Sequence, residues 1–495
     1  MTIHLTKTDY LLFRECPNNA WFKLHKPDLY SQSELSEFEK SIIEAGIEVE
    51  LITRQLFPTG ILIEGRDAGS QKLTQDLISQ KAEVLFQPLF IKDGCLAAID
   101  ILKLDPESTT YSVYEVKSKN SIDKASHYHD LTFQVNLLRN CGLNVSNAFI
   151  IHLNPEYVFN GELEVSELLK IVDVTSEVAS LSGDVLIEVS EALEVLARKD
   201  EPEGPCCCIY KGRASHCSTF QYSNPAVPEY GVHDISRIGN SKAKLKELVD
   251  NQIFHLDKIP SHIKLSDSQR KQVDAYLQDK TFAEMGKIRE ELASLVFPLY
   301  FLDYETCPSA IPRFQGFSPY TQIPFQYSLH KLVSEESEPE HSEFLHIEEG
   351  DPTGLFAESL KEHIGEIGSV IVWHKSFECG RNNEIAHRIP ELSAFIENLN
   401  KRIYDLEEIF KKQYFIHKDF KGKTSIKYIL PVLVPELTYN DLEIGDGGSA
   451  AETWNKLING SFSEAEKTKA ISALKSYCYL DTYAMYSIWK YLNDL

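Results

Sequence analysis

Long apolar runs and positive charge are scarce in this 495-residue sequence. No stretch of 18 apolar residues occurs, so we expect neither a membrane-spanning helix nor a membrane partner. Acidic residues outnumber basic residues by 74 to 50, which gives a net charge of −24. This balance argues against a broadly basic surface for nucleic acid, but it leaves room for a basic channel inside an acidic shell.

Two short sequence signals are also missing. The first residues, Met1–Asp9, contain no basic stretch followed by an apolar core, so we expect no secretory signal and a cytoplasmic location. The sequence has no Gly-x4-Gly-Lys-Ser/Thr loop, so any unwinding of a duplex would need a helicase partner. Without a secretory signal, the ten cysteines indicate thiols in a reducing compartment rather than disulfides.

Hydrophobic spacing predicts an α/β chain with two mixed units and a helical segment between them. The predicted helices cover about 1–60, 121–141, 163–200, 234–295 and 463–493. The predicted strands form a β meander over 83–117 and recur at 147–153, 297–303, 325–329 and 369–373. These patterns place a first unit at 1–228, which ends in a Cys-rich loop, a helical connector at 229–295 and a second unit at 296–495. For the helix at about 34–56, the expected buried side consists of Ile42, Ile43, Ile47, Val49 and Ile52.

The β meander carries a candidate metal site. Asp100 lies in one predicted strand, and Glu115 and Lys117 lie in the next. Side chains alternate along a strand, so Glu115 and Lys117 share a face, and an antiparallel neighbour can bring Asp100 beside them. Two carboxylates fixed in this way suit Mg²⁺ or Mn²⁺, and a lysine beside them suits phosphodiester hydrolysis. Taken alone, the same pattern is more often a solvent-facing hairpin with a salt bridge.

Neighbouring motifs favour the catalytic interpretation. They are Tyr10-x5-Cys16-Pro17, Gly46-x3-Glu50, Gln134 on the following helix, and the later cysteine cluster. Together they resemble the RecB-like branch of the PD-(D/E)xK nucleases, in particular the iron–sulfur type found among CRISPR-associated and AddB-type nucleases. The resemblance implies a restriction-endonuclease-like core in which Asp100 and Glu115 bind metal, Lys117 is catalytic and Gln134 belongs to the motif after the lysine.

Two positions depart from that family. Relatives often carry a histidine ligand on the first core helix, where this sequence has Glu50, with Glu48 or Glu44 as alternatives. A carboxylate can take the place of the histidine as a metal ligand. Relatives also often have a tyrosine four residues after the glutamine, where this sequence has Leu138.

The cysteine cluster is a candidate metal centre. Cys206, Cys207 and Cys208 are consecutive in a Gly- and Pro-containing loop, and Cys217 follows. Four thiolates are the usual ligands of an iron–sulfur cluster or of a structural zinc ion. The resemblance implies that Cys206, Cys208 and Cys217 act with Cys16, and it favours [4Fe–4S]. Zn²⁺ is the alternative, in which His216 could replace one thiolate. Cys207 points away from its neighbours in an extended chain and is left out.

The second unit contains a second group of carboxylates. Asp303 and Glu305 are two residues apart on a predicted strand and therefore share a face, and Glu378 follows a buried strand. Tyr477 and Asp481 are four residues apart on the last helix and also share a face. In order and placement these motifs resemble the tyrosine-containing DEDD exonucleases, which have an RNase H-like fold. The resemblance implies that the four carboxylates hold Mg²⁺ or Mn²⁺ and that Tyr477 orients the attacking water.

Together the two resemblances cover most of the chain and match a bacterial family of two-nuclease proteins. They imply a metal-dependent nuclease acting on DNA, preferably on single strands or free ends, with 3′–5′ exonuclease activity at the DEDD site, in repair, recombination or defence. One alternative is a nucleic-acid-binding scaffold in which one or both sites are degenerate. Another is an RNA-processing exonuclease. The connector at 229–295 is expected to be a packed spacer rather than a nucleic-acid-binding element.

Overall fold

The computed structural model describes residues 4–30 and 37–495 of the chain. They form a mixed α/β structure with two large mixed sheets and two small ones, which confirms the predicted mixture of helices and strands. Among these residues, no helix is both long and apolar enough to cross a membrane.

The first unit contains two sheets that are covered by helices. Its strands are β1 (Leu5–Thr6), β2 (Ile61–Leu62), β3 (Val84–Phe86), β4 (Leu89–Lys92), β5 (Cys95–Ala98), β6 (Ile101–Asp105), β7 (Thr110–Lys117), β8 (Val145–Leu153) and β9 (Leu169–Asp173). Its helices are α1 (Lys7–Glu15), α2 (Pro17–His25), α3 (Pro27–Tyr30), α4 (Glu37–Thr53), α5 (Ala68–Ser79), α6 (His127–Asn140), α7 (Val165–Leu168) and α8 (Thr175–Ala197). The large sheet has the strand order β2-β3-β6-β7-β8-β9, and the small one β1-β5-β4.

Strand pairing around β7 brings together the candidate residues of this unit. Strand β6 runs antiparallel to β7, with Ile101 opposite Tyr114. Strand β8 runs parallel to β7 on its other side, so α6 forms the crossover that parallel pairing requires. Asp100 lies in the short connection before β6 and not inside a strand, contrary to the prediction.

Helix α1 approaches the same edge of the sheet. A capping box formed by Thr6 and Asp9 begins the helix: the Thr6 hydroxyl accepts a hydrogen bond from the Asp9 amide at 3.1 Å, which satisfies a free amide of the first turn. Leu5 pairs with Cys95 in parallel. This pairing fixes the start of the helix, and therefore Lys7, beside the sheet.

The Cys-rich segment and the connector share one apolar core. Their elements are α9 (Phe220–Ser223), α10 (Lys242–Asp250), α11 (Asp267–Leu277), β10 (Phe282–Ala283) and α12 (Met285–Ala293). Cys206 and Cys208 are buried in one cluster with Val232, Leu245 and Val273. The connector therefore packs directly on the cysteine segment.

The second unit is built on a five-stranded sheet. The strands of this sheet are β11 (Leu299–Pro308), β12 (Gln322–Leu332), β13 (Glu340–Leu345), β14 (Val370–Val372) and β15 (Ile403–Asp405). A further strand, β16 (Phe415–Ile416), pairs with β10 of the connector. The helices of the second unit are α13 (Thr353–His363), α14 (Lys375–Arg388), α15 (Ser393–Lys401), α16 (Glu408–Lys411), α17 (Ile426–Leu433), α18 (Gly447–Ile458) and α19 (Glu464–Asn493). The strand order is β13-β12-β11-β14-β15: β11, β12 and β13 are antiparallel, whereas β14 and β15 continue the sheet in parallel.

Two details of the second unit position its carboxylates. The buried run Leu299–Leu302 anchors β11 in the sheet, and the pairing of β11 with β12 shifts register between Glu305 and Thr306. Helix α19 crosses this sheet and begins with a capping box formed by Ser463 and Glu466. Its apolar side chains, including Trp489, join the core, so the helix holds its polar residues at a fixed height over β11.

Two further structural predictions for the first unit are wrong. Helix α4 buries Val49, whereas Ile42, Ile43 and Ile47 are 53%, 50% and 54% exposed. Apolar residues lie on more than one side of this helix, so spacing alone does not identify the side that packs on the sheet. The segment 163–200 is not helical throughout, because Leu169–Asp173 adds an edge strand to the large sheet. Residues 34–36 of the predicted helix lie outside the described residues.

The two units are in direct contact. Phe159 of the first unit exchanges backbone hydrogen bonds with the second: its amide donates to Phe317 at 2.9 Å, and its carbonyl accepts from Gly316 at 2.8 Å. The Asn120 side chain donates to the Pro319 carbonyl at 3.1 Å. Ala310 and Ile311 are buried in an apolar cluster of the first unit.

Candidate active sites and metal centre

The candidate site of the first unit is centred on Glu115, which is 1% exposed. One of its carboxylate oxygens accepts from the Lys117 ammonium at 2.7 Å, and the other accepts from the Gln134 amide at 2.7 Å. Asp100 lies beside it, because the Val116 amide donates to the Asp100 carboxylate at 2.8 Å. The structure therefore brings together four of the residues that the sequence singled out.

A third carboxylate, Asp130, belongs to the same network and was missed in the sequence. It accepts from Lys117 at 2.6 Å and from Gln134 at 3.0 Å. Asp130 and Gln134 are four residues apart on α6, so helical spacing could have revealed them as a pair. Lys117 is thus held between two buried carboxylates, Glu115 and Asp130.

Glu50 joins the site indirectly. The Gln87 amide donates both to Glu50 at 2.7 Å and to Asp100 at 3.1 Å. Arg54 also donates to Glu50, at 2.8 Å. Of the three glutamates considered for this position, Glu50 is the one near Asp100, since Glu44 and Glu48 line a cavity of the second unit.

Lys7 is the most consequential residue that the sequence did not reveal. Its ammonium donates to Glu115 at 2.7 Å and lies 4.0 Å from Asp100. A positive charge therefore occupies the space between the two carboxylates that were expected to hold a divalent cation. The carboxylates of Asp100 and Glu115 are a suitable donor set for Mg²⁺ or Mn²⁺. An ion bound between them would have to displace the Lys7 ammonium or lie directly beside it.

Charge and burial make the two carboxylates unequal. Burial, and next the charge of Glu115, raise the pKa of Asp100 to about 7. Burial alone would raise the pKa of Glu115 too, but the ammonium groups of Lys117 and Lys7 reverse the effect and hold it well below its usual range. Glu115 is therefore the stable anion of the site.

The four predicted cysteines meet at one point. The Sγ atoms of Cys16, Cys206, Cys208 and Cys217 all lie within 4.8 Å of one another. The Sγ atom of Cys217 is 3.7 Å from that of Cys16 and 3.9 Å from that of Cys206. These four thiols could hold a metal ion.

The two neighbours considered as alternatives lie outside that group. Cys207 is exposed, and its thiol donates to the Glu15 carbonyl at 3.4 Å. His216 contacts the Lys211 carbonyl at 3.0 Å with one ring nitrogen and stacks on Phe220. Its other ring nitrogen is buried and has no hydrogen-bond partner among the described residues, and it does not belong to the group of four thiols.

The candidate site of the second unit lies in a cavity of about 840 Å³. Strand β11, helix α14 and helix α19 contribute the five predicted residues, and all five line this cavity: Asp303, Glu305, Glu378, Tyr477 and Asp481. Helix α4 of the first unit supplies part of the wall through residues such as Ile42, Glu44 and Glu48. The cavity is therefore shared between the two units.

Within the cavity, Asp303 and Glu305 lie close to each other. Carboxylate oxygens of both residues lie within 4.8 Å of each other and of the Cys478 thiol. Asp481 accepts from the Tyr439 hydroxyl at 2.6 Å. Glu378 is 2% exposed, and one of its oxygens has no hydrogen-bond partner among the described residues. Cys478 and Tyr439 were missed in the sequence, because neither belongs to the motifs.

The carboxyl groups of the cavity destabilise one another as anions. Burial, followed by the charges of Asp481, Glu305 and Glu378, raises the pKa of Asp303 well above its usual value. Burial also raises the pKa of Glu378 to about 8 and that of Asp481 to about 6. Buried carboxylates in such proximity require protons or a cation. The unpartnered oxygen of Glu378 and the crowded acids therefore fit a divalent metal.

Asp405, the last residue of β15, caps the starts of neighbouring helices and is not part of the acidic group. Its carboxylate accepts from the Glu407 amide at 3.1 Å and from the Lys375 amide at 3.3 Å. It does not line the cavity.

Comparisons with known proteins find one family match and several similar proteins, and none of these names an activity. Residues 300–425 match the family described as "Domain of unknown function (DUF2779)", a segment that contains Asp303, Glu305 and Glu378. An uncharacterised protein of Mycoplasma genitalium is 27% identical over 278 residues, which is 50% of this chain and 41% of that protein. An uncharacterised homologue from Mycoplasma pneumoniae is 27% identical over 243 residues, 44% of this chain and 36% of that protein. The chain thus spans less than half the length of these relatives, and the assignment to nuclease families stays a prediction.

Proposed function

We propose that the chain is a metal-dependent nuclease with two active sites that hydrolyse phosphodiester bonds of DNA, preferably at single strands or free ends. The convergence of four acids, three of them buried, and a tyrosine on one cavity is the observation that carries the proposal. The cavity has the size of a small-ligand pocket, so it accommodates the end of a strand and not a duplex. The proposed activity of this site is removal of nucleotides from 3′ ends, in repair, recombination or defence.

The proposed roles follow from the contacts. Asp303, Glu305, Glu378 and Asp481 would hold Mg²⁺ or Mn²⁺, which supplies charge stabilisation at the phosphate and lowers the pKa of a water. The Tyr477 side chain lies at the same cavity and orients the attacking water. Tyr439 keeps Asp481 in place through its hydrogen bond.

In the first unit, Glu115 is the fixed anion and Lys117 the catalytic ammonium. Gln134 and Asp130 fix the positions of the Glu115 carboxylate and the Lys117 ammonium through the hydrogen bonds described above. Lys7 favours a second candidate function for this unit, namely strand binding without cleavage, because its ammonium already neutralises the pair Asp100 and Glu115.

The test is degradation of single-stranded DNA labelled at either its 5′ or its 3′ end, in Mg²⁺ or Mn²⁺. For the Lys117→Ala variant we expect loss of the products of the first site and retention of 3′ trimming, since the second site does not contain Lys117. The Lys119→Ala variant is the matched control, because Lys119 is exposed and lies two residues further on. If Lys117→Ala leaves every product unchanged, the first unit binds and does not cut. If the wild type leaves both labels intact in every metal, the nuclease proposal fails and RNA becomes the next substrate.

The spacing of the thiols bears on the cysteine centre. One tetrahedral ion with metal–sulfur bonds of about 2.3 Å separates its ligand atoms by about 3.8 Å, and the observed separations of 3.7 and 3.9 Å match this value. A four-iron cluster binds each thiolate to a different iron and holds the thiolates farther apart. The proposed occupant is therefore one Zn²⁺, and not the [4Fe–4S] cluster that the family resemblance implies.

Elemental analysis of protein purified without oxygen checks this assignment. We expect about one zinc per chain, no iron, no acid-labile sulfide and no visible absorption. Zinc added back after chelation should restore the stoichiometry, whereas iron with sulfide should not. Iron and sulfide in equal amounts near four per chain would establish the iron–sulfur centre instead.

A further inference from the structure

A second large cavity lies away from both candidate active sites. It has a volume of about 770 Å³ and is formed by three parts of the chain: residues 210–215, residues 233–246 and residues 421–423. Its charged lining residues are Lys211, Arg213, Arg237, Lys242, Lys246, Lys421 and Lys423, against one carboxylate, Asp234. The chain as a whole has a net charge of −24, so seven cations in one cleft form a local region of opposite charge. We call these residues the basic cleft.

Most of this charge is not neutralised within the protein. Arg213 is paired with Asp234, Lys246 with Asp250, and Lys421 with Glu229. For the other four lining cations, the described part of the chain offers no carboxylate within 4 Å: these are Lys211, Arg237, Lys242 and Lys423. Lys211 and Lys423 donate to a carbonyl and a tyrosine hydroxyl, respectively, and neither of these partners is a carboxylate.

Close contacts between loops fix the shape of the basic cleft. Gly212 and Gly239 bring two loops together so closely that a Cβ on Gly239 would lie 3.3 Å from the Gly212 nitrogen. Gly422 has a φ of +73° and a Cβ there would lie 2.2 Å from the Gln272 side chain. Gln272 in turn accepts from the Ser236 amide at 2.8 Å. Loops from three parts of the chain are thus fixed against each other.

The position of the basic cleft suggests its ligand. The segment from Lys421 to Lys423 leads within a few residues to Lys427, which lines the cavity of the second active site. The cations of the basic cleft come from three separate parts of the chain. Cations spread in this way suit the successive phosphates of a strand better than one small anion. We propose that the basic cleft binds the phosphate backbone of a single-stranded nucleic acid whose end enters that cavity. This inference rests on the proposed nuclease function and deepens it.

Binding of a fluorescein-labelled 20-nucleotide oligothymidylate to the full-length protein, without added Mg²⁺ or Mn²⁺, tests this inference. The measurement is fluorescence anisotropy over a range of salt concentrations. For the triple variant Arg237→Ala, Lys242→Ala, Lys423→Ala we expect affinity to fall about tenfold or more, and the slope of log affinity against log salt to flatten by about 2, because each lost contact to a single strand contributes about 0.7. The matched control is Lys72→Ala, Lys92→Ala, Lys361→Ala, which removes three exposed lysines outside the basic cleft and should change little.

The outcomes separate this inference from the nuclease proposal. Unchanged binding and slope in the triple variant, or no binding by the wild type at low salt, would overturn the role of the basic cleft. A glutamate 20-mer that competes as well as the oligonucleotide would also overturn it, in favour of an acidic protein partner. Binding that depends on the basic cleft in a protein that never cuts DNA would refute the nuclease proposal alone. Cutting by a triple variant that binds normally would refute the basic cleft alone. Circular dichroism and metal content confirm that each variant is folded.

Discussion

Replacing Asp303 with asparagine should abolish trimming of 3′ ends while leaving the protein folded. Carboxylate oxygens of Asp303 and Glu305 lie within 4.8 Å of each other, and both residues line the acidic cavity with Glu378 and Asp481. Loss of one carboxylate from a metal-binding set removes several kcal/mol of charge stabilisation, so we expect the rate to fall by about 100-fold or more. Cleavage assigned to the first unit should persist, because Lys117 and Glu115 do not contact this cavity.

The same substitution should stabilise the protein when divalent metal is absent. Burial and the charges of neighbouring acids raise the pKa of Asp303, which means that its anion is unfavourable in the folded state. A neutral amide of the same shape removes that repulsion, so thermal unfolding in chelator should occur at the same or a higher temperature. This distinguishes loss of a ligand from loss of the fold.

The control for this experiment is Asp441→Asn, which changes an exposed aspartate of the second unit outside the cavity. It should leave both the rate and the unfolding temperature unchanged. If the Asp303→Asn variant trims 3′ ends at the rate of the wild type, Asp303 is not a ligand of a catalytic metal ion. A collapse of stability without metal would show that the carboxylate has a structural role instead.

Replacing Cys16 with serine is the change with the largest expected effect on stability. Cys16 lies at the end of α1, and its thiol meets that of Cys217, 201 residues later in the chain. A metal ion held by both closes a very long loop, and such closure is where a cross-link stabilises most. By analogy with a covalent link over a loop of this kind, we expect the free energy of unfolding to fall by about 4 kcal/mol.

Cys207→Ser provides a control of identical chemistry. Cys207 is next to two of the proposed ligands but is exposed and outside the group, so its loss should change stability by less than about 0.5 kcal/mol. Denaturant unfolding and metal content should be measured on both variants and on the wild type in chelator. If Cys16→Ser keeps its metal and its stability, the centre does not tie the first helix to the cysteine segment.

Site residues that lie a few positions apart in the sequence could be predicted, whereas residues brought together by long-range contacts could not. Glu115 and Lys117 share a face because strands alternate, and Tyr477 and Asp481 share a face because helices repeat, so short spacing was sufficient for both pairs. Lys7 could not be found in this way. Its place beside Glu115 depends on the pairing of Leu5 with Cys95, a contact between distant parts of the chain.

The failure on helix α4 has a similar physical origin. Periodicity identified the helix, but the choice between its apolar sides is made by the sheet and by the second unit, which are not local. The fully buried Val49 packs on the sheet, whereas Ile42 faces the cavity shared with the second unit. The basic cleft was equally hidden, because its cations come from three segments that only the folded chain brings together.

Helix α4 has a consequence for any attempt to divide the protein. Within three residues it presents Glu48 to the cavity of the second unit and Glu50 to the carboxylates of the first. A fragment consisting of 296–495 would lose one wall of its own cavity and would uncover Ala310 and Ile311, whose burial the other fragment provides. Neither half alone therefore keeps all the surfaces that it has in the whole chain. Gene fragments that separate the halves would produce two proteins with exposed apolar surface, one of which has an incomplete cavity.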